Sequence, residues 1–126
     1  MRVLIVDLEN QNEKLFSDIL NRYRFNEHKA STIKKARSLL NDFHPHIVIM
    51  SLYRKDEWSF LEELKENNST KQLPIVAISN NEKKRDQYND RYDYLDIFVE
   101  PVKLKNIRHA IQRWTHYGTL YRDNDS

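Results

Sequence analysis

Four short apolar runs each end in a residue that could do chemistry. Val3-Leu-Ile-Val6 leads into Asp7, Leu8 and Glu9, and His46-Ile-Val-Ile-Met50 leads into Ser51. Ile75-Val-Ala-Ile78 leads into Ser79, and Ile97-Phe-Val99 into Glu100 and Pro101. Unalternating runs of this kind read as strands buried on both faces. In an open α/β sheet the carboxyl ends of the strands border one crevice. Asp7, Leu8, Ser51, Ser79 and Glu100 are therefore expected to converge. Carboxylates at such a place could ligate a hard cation through oxygen. Leu8 breaks up that ligand set, however, and Ser51 is a neutral hydroxyl, weak as a nucleophile without an adjacent base. Two carboxylates about 4 Å apart also repel by roughly 1–4 kcal/mol. The expectation is a site without metal or cofactor, in which Ser51 fills space and bonds to Asp7 or Ser79. Asp7 should accept neighbouring backbone N–H groups, and Glu100 should turn to solvent or pair with Lys103.

The elements between these runs must hold the site together. Helical periods follow each strand: Asn10 to about Arg24, with Leu15, Ile19 and Tyr23 on one face; Thr32 to Phe43, with Ile33, Ala36 and Leu40; Trp58 to Asn67; Asn81 to Tyr92, very polar, anchored by Tyr88 and Tyr92; and Val102 to His116, with Leu104, Ile107, Ile111 and Trp114 in one stripe. Asn26–Ala30 reads as a weak strand. Asp56 is expected to cap the third helix, and Trp58 to lie partly exposed beside the crevice. Gly118 is placed where a helix C′ residue is expected, with a frayed tail behind it. Five strands alternating with five helices specify an α/β fold: a doubly wound five-stranded parallel sheet in a three-layer α/β/α sandwich. The domain is expected over residues 1–117, with 118–126 a tail or linker.

Composition narrows the function. The chain has 126 residues, one domain's worth, with 39% apolar and 32% charged residues and a net charge of +2. It contains no cysteine and one glycine, which excludes thiol chemistry and leaves no glycine-rich phosphate cradle. A flavodoxin-like nucleotide-binding enzyme is disfavoured on that ground. No apolar run is long enough to span a bilayer, and Met1-Arg2-Val3 runs straight into a strand without a leader; a cytoplasmic location is expected. His44, His46, His109 and His116 form no recognisable zinc set.

In order and spacing, Val3-Leu-Ile-Val-Asp-Leu-Glu9, Pro45-His-Ile-Val-Ile-Met-Ser-Leu52, Leu73-Pro-Ile-Val-Ala-Ile-Ser79 and Asp96-Ile-Phe-Val-Glu-Pro101 resemble the receiver domain of two-component response regulators (the CheY-like fold) over about residues 2–116. The resemblance implies a doubly wound sheet and a role in signal transduction, the setting of phosphorelays. It also shows departures. Ser51 stands at the phosphoacceptor aspartate, Leu8 at a magnesium ligand, Glu100 at the signalling lysine and Ile97 at the aromatic switch residue. Lys55 replaces a usual proline, and Ser59 a usual glycine. Asp7 and the hydroxyl of Ser79 persist. Nucleophile, metal ligand and neutralising cation are thus missing together. The expectation is a pseudo-receiver: not an enzyme, independent of phosphorylation, acting through protein contacts. A regulator binding a small ligand or ion in the remnant acidic pocket is the alternative.

The resemblance directs the contact surface to the fourth helix, fifth strand and fifth helix. Lys84, Tyr88, Tyr92, Tyr94, Ile97, Arg108 and Arg113 are the expected interface residues, with Lys105 beside them. Their aromatic and basic character suits an acidic protein partner, or a second copy of the chain in a homodimer. The basic clusters Lys34-Lys35-Ala36-Arg37 and Lys83-Lys84-Arg85 read as solvated helix faces, and direct nucleic-acid binding is not expected.

Overall fold

The computed structural model describes the backbone of residues 1–125 and the side chains of residues 1–116. The strands are β1 (Arg2–Val6), β2 (Asn26–Ala30), β3 (Ile47–Leu52), β4 (Ile75–Ser79) and β5 (Leu95–Val99). The helices are α1 (Glu13–Leu20), α2 (Ile33–Phe43), α3 (Lys55–Glu66), α4 (Glu82–Arg91) and α5 (Leu104–Asp125), with a 3-10 turn at Leu8–Asn10. All pairings are parallel, in the order β2-β1-β3-β4-β5. The chain therefore reverses direction across the sheet between β1 and β3, and a crevice opens there. This is the doubly wound three-layer sandwich expected from the strand–helix alternation.

The apolar runs are buried because helices cover both faces. On one face Leu4, Val6, Val48, Met50, Ile75 and Ala77 meet α2 and α3 through Ala36, Leu39, Phe60, Leu61 and Leu64. On the other, Val3, Ile5, Ile47, Ile49, Val76 and Ile78 meet Phe16, Ile19, Ile107 and Ile111 of α1 and α5. Thr32 caps α2, its hydroxyl accepting from the Lys35 backbone N–H at 3.1 Å, and Asn81 caps α4 on Lys84 in the same way. Helix α4 has no fully buried residue; Tyr88 and Tyr92 are its partly buried anchors. Among the described residues no helix is long and apolar enough to cross a membrane.

Several boundaries differ from expectation; α1 also ends at Leu20 rather than near Arg24, and α5 starts at Leu104 rather than Val102. Helix α1 starts after Asn12, not Asn10, because Glu9 and Asn10 take left-handed backbone angles (φ 59° and 56°) that close the preceding helical turn. Helix α3 starts at Lys55, with Arg54 in the cap position, so Asp56 lies in the first turn and is not the cap. Helix α5 passes through Gly118 to Asp125; a glycine weakens a helix by about 1 kcal/mol without ending it. Ser126 and the side chains of the expected 118–126 tail lie outside the described residues.

Candidate functional site

The crevice is built where β1 and β3 end side by side, with Val6 paired to Met50. Asp7 follows β1 and is 5% exposed, while Ser51, in β3, is 0% exposed. The Ser51 hydroxyl lies 3.1 Å from Asp7 Oδ1 and 3.0 Å from Glu57 Oε2. Asp7 also accepts the Asn12 backbone N–H through both oxygens, at 3.1 and 2.9 Å. One serine proton thus faces two buried carboxylates.

Glu57 was not anticipated, and it is the residue that closes the site. It is the third residue of α3 and 0% exposed. Its Oε1 accepts the backbone N–H groups of Tyr53 (2.9 Å) and Arg54 (2.8 Å). That is the carboxylate half of a capping box; the reciprocal half is missing because the arginine side chain has no acceptor. The carboxylate satisfies the start of α3 with one oxygen and reaches under Ser51 with the other.

Ser79 and Glu100 sit at the far side. The Ser79 hydroxyl donates to the Leu52 carbonyl at 2.8 Å and accepts the Asn81 N–H at 3.1 Å, bonding neither Asp7 nor Ser51. Glu100 is exposed and accepts from the Tyr53 hydroxyl at 2.5 Å, rather than pairing with Lys103. The Tyr53 oxygen in turn accepts from Asn12 Nδ2 at 3.1 Å. Tyr53, also unanticipated, therefore bridges the β1–α1 loop and the residue after β5. A second bridge runs beside it, with Arg54 paired to Glu9 at 2.5 Å. The guanidinium's hydrogen bond and charge hold the Glu9 carboxyl below the usual carboxylate range. This pair also fastens a strained loop, since a left-handed non-glycine residue costs roughly 1–2 kcal/mol. Leu8 points away into the α2–α3 core at 4% exposure. Of the five expected residues, Asp7 and Ser51 touch, Ser79 and Glu100 are reached through Leu52 and Tyr53, and Leu8 lies in the core. Among the described residues no cluster of three or more histidines and carboxylates is arranged to hold a metal.

The expected contact surface changes too. Ile97 is 3% exposed in the core against α4 and offers no surface. Arg108 turns toward α1 and donates to the Asp18 carbonyl at 2.9 Å. Trp58 is 4% exposed, not an exposed neighbour of the crevice; its ring packs on Tyr88 at 4.8 Å, with the Lys84 ammonium 5.2 Å from its centre. Tyr88 and Tyr92 donate to Glu62 and Glu66 of α3. Tyr94 lies edge-on to Trp114, and Arg113 pairs with Asp96.

Partial burial, aided by the neighbouring carboxylates, raises three phenols. Tyr88 is pushed up to about 12, and Tyr53 and Tyr92 move in the same direction. The folded chain therefore keeps phenol protons that the unfolded chain loses near pH 10. From there upward the unfolded state binds fewer protons, so stability falls as pH rises. Urea midpoints taken across alkaline pH should fall steeply above pH 10, and Tyr53→Phe with Tyr88→Phe should flatten the fall. A decline that begins near pH 8 would contradict these environments.

No protein-family model matches the chain, and no curated protein matches it. Solved structures do. A response regulator from Desulfuromonas acetoxidans superposes with TM-score 0.70 at 22% identity, covering 89% of this chain and 94% of the other. The signal receiver domain of a histidine kinase from Syntrophus aciditrophicus gives 0.74 at 16% identity, over 91% and 89%. NtrX from Brucella abortus gives 0.77 at 24% identity, over 98% of this chain and 28% of its own length. The fold is that of receiver domains.

Proposed function

We propose that the chain is a phosphorylation-independent receiver-fold module that signals through protein contacts and is not an enzyme. One observation carries this reading: at the end of β3 stands a buried serine hydroxyl between two carboxylates, Asp7 and Glu57. Acceptance of a phosphoryl group by a receiver uses a carboxylate nucleophile, a divalent ion on oxygen ligands and a cation for the phosphoryl oxygens. Here the nucleophile is neutral and Leu8 is in the core. Glu100 brings negative charge, and Tyr53 ties it across the mouth.

Function then moves to the outer surface. Helix α4 is held by two tyrosines and by ion pairs such as Arg91–Glu66 at 2.9 Å. Such a helix can adjust to a partner at low cost. The basic and aromatic residues here, Lys84, Tyr88 and Tyr92 against α3 and Tyr94 beside Trp114 with Lys105 and Arg113 on α5, suit an acidic protein partner or self-association.

Magnesium titration followed by backbone NMR tests the silent crevice. Physiological magnesium should leave the signals of Asp7, Ser51 and Glu100 in place; a saturable shift there at sub-millimolar midpoint would revive the ion-binding alternative. Lys84→Glu combined with Lys105→Glu should keep the circular dichroism spectrum and weaken any self-association seen by sedimentation. Unchanged self-association would move the interface off α4 and α5.

A further inference from the structure

At the opposite end of the sheet from the crevice, Lys65 of α3 is 5% exposed. Its ammonium donates to four main-chain carbonyls: Lys71 at 3.1 Å, Leu73 at 3.1 Å, Asp93 at 2.9 Å and Tyr94 at 3.0 Å. Two of these oxygens belong to the loop entering β4 and two to the loop between α4 and β5. Four neutral oxygens from two separate loops therefore converge on one buried point. An ammonium carries three N–H donors for these four acceptors. The arrangement is that of an ion cage, with carbonyl oxygens standing where water would surround a cation.

The geometry points to a monovalent-cation site formed by the carbonyls of Lys71, Leu73, Asp93 and Tyr94, in which the ammonium of Lys65 is the tethered resident ion. Oxygens at 2.9–3.1 Å from the nitrogen lie well beyond the roughly 2.0–2.6 Å that magnesium and calcium require. No carboxylate contributes to the cage, which also suits a single charge. Ammonium, with four donors for four acceptors, fits best; potassium is next, and sodium is too small to touch all four oxygens at once. A cavity of about 330 Å³ lined by Lys65, Lys71, Gln72, Arg91, Tyr92, Asp93 and Tyr94 adjoins the cage and gives an ion a way in.

The tether has a consequence for this chain. The cage joins α3 to the segment that follows α4, so it fixes where α4 ends without relying on a dissolved ion.

Removing the tether while leaving the carbonyls tests the assignment. Lys65→Ala should lose stability in sodium chloride and regain it in ammonium chloride, with potassium intermediate, at equal ionic strength. Ten dissociation constants of ammonium would raise the folded-to-unfolded ratio about tenfold. The wild-type chain, whose cage is already filled, should melt at the same temperature in all three salts. Lys65→Met, whose side chain fills the cavity without charge, should also ignore the cation. Equal melting of Lys65→Ala in sodium and ammonium would overturn the assignment. So would wild-type stability that follows the same cation order, or a Lys65→Ala chain that stays unfolded even in molar ammonium.

Discussion

Glu57→Ala should destabilise the fold by about 3 kcal/mol, whereas Glu57→Gln should cost less than about 1 kcal/mol. Alanine leaves the part-buried Tyr53 and Arg54 backbone N–H groups without their acceptor, and an orphaned donor costs roughly 1–3 kcal/mol when fully buried and less where water reaches it. Losing one of two neighbouring buried carboxylates offsets part of this. Glutamine keeps the oxygen that accepts both N–H groups and puts an NH₂ where Oε2 now meets Ser51. That NH₂ donates to the Ser51 oxygen, and the serine proton is left for Asp7. The chain of donors and acceptors then closes without two carboxylates competing for one proton. Urea unfolding of both variants measures the difference. A Gln variant as weak as the Ala variant would show that the second carboxylate charge is needed, and with it a cation between Asp7 and Glu57.

Lys65→Met should cost about 3 kcal/mol despite similar side-chain volume. Four carbonyls lose a charged donor, and hydrogen bonds to charged groups contribute roughly 1.5–3 kcal/mol each. The sum is reduced because burying an ammonium is itself costly and because water can enter from the adjoining cavity. Hydrogen exchange should locate the loss: amides of the segment between α4 and β5 should exchange faster, while those of β1 and β3 change only through global stability. Wild-type protection in the α4–β5 segment would count against the lysine as its fastener.

The sheet was legible because burial on both faces writes itself into sequence as unbroken apolar runs, as in β3 and β4. The stripe Ile107, Ile111 and Trp114 likewise placed one face of α5 in the core. What escaped was set by single side chains acting at a distance in sequence. Glu57, in the charged stretch Lys55-Asp56-Glu57, was passed over. Its signal was position, the third residue of a helix whose cap, Arg54, has no acceptor and so did not mark the start. Tyr53 drew no notice in sequence, because its hydroxyl partners, Asn12 and Glu100, come from distant loops. Ile97 and Arg108 were misplaced for a different reason. Two-residue alternation puts Ile97 on the same face of β5 as buried Leu95, and Arg108, next to Ile107, lies on the border of the helix stripe. Both positions were readable from periodicity, but the resemblance to receivers drew them to the surface. Gly118 shows the limit of a local rule: a glycine permits a helix to end and does not compel it.

On the proposed reading, the side chains of the crevice close it to phosphoryl chemistry. Intact mass spectrometry after incubation with magnesium and acetyl phosphate addresses it most directly. No phosphoryl adduct should form on the wild-type chain, and none on Ser51→Asp, because Leu8 withholds a metal ligand and Glu100 brings negative charge where a cation is needed. A phosphoryl adduct on the wild-type chain that maps to the crevice would contradict this reading.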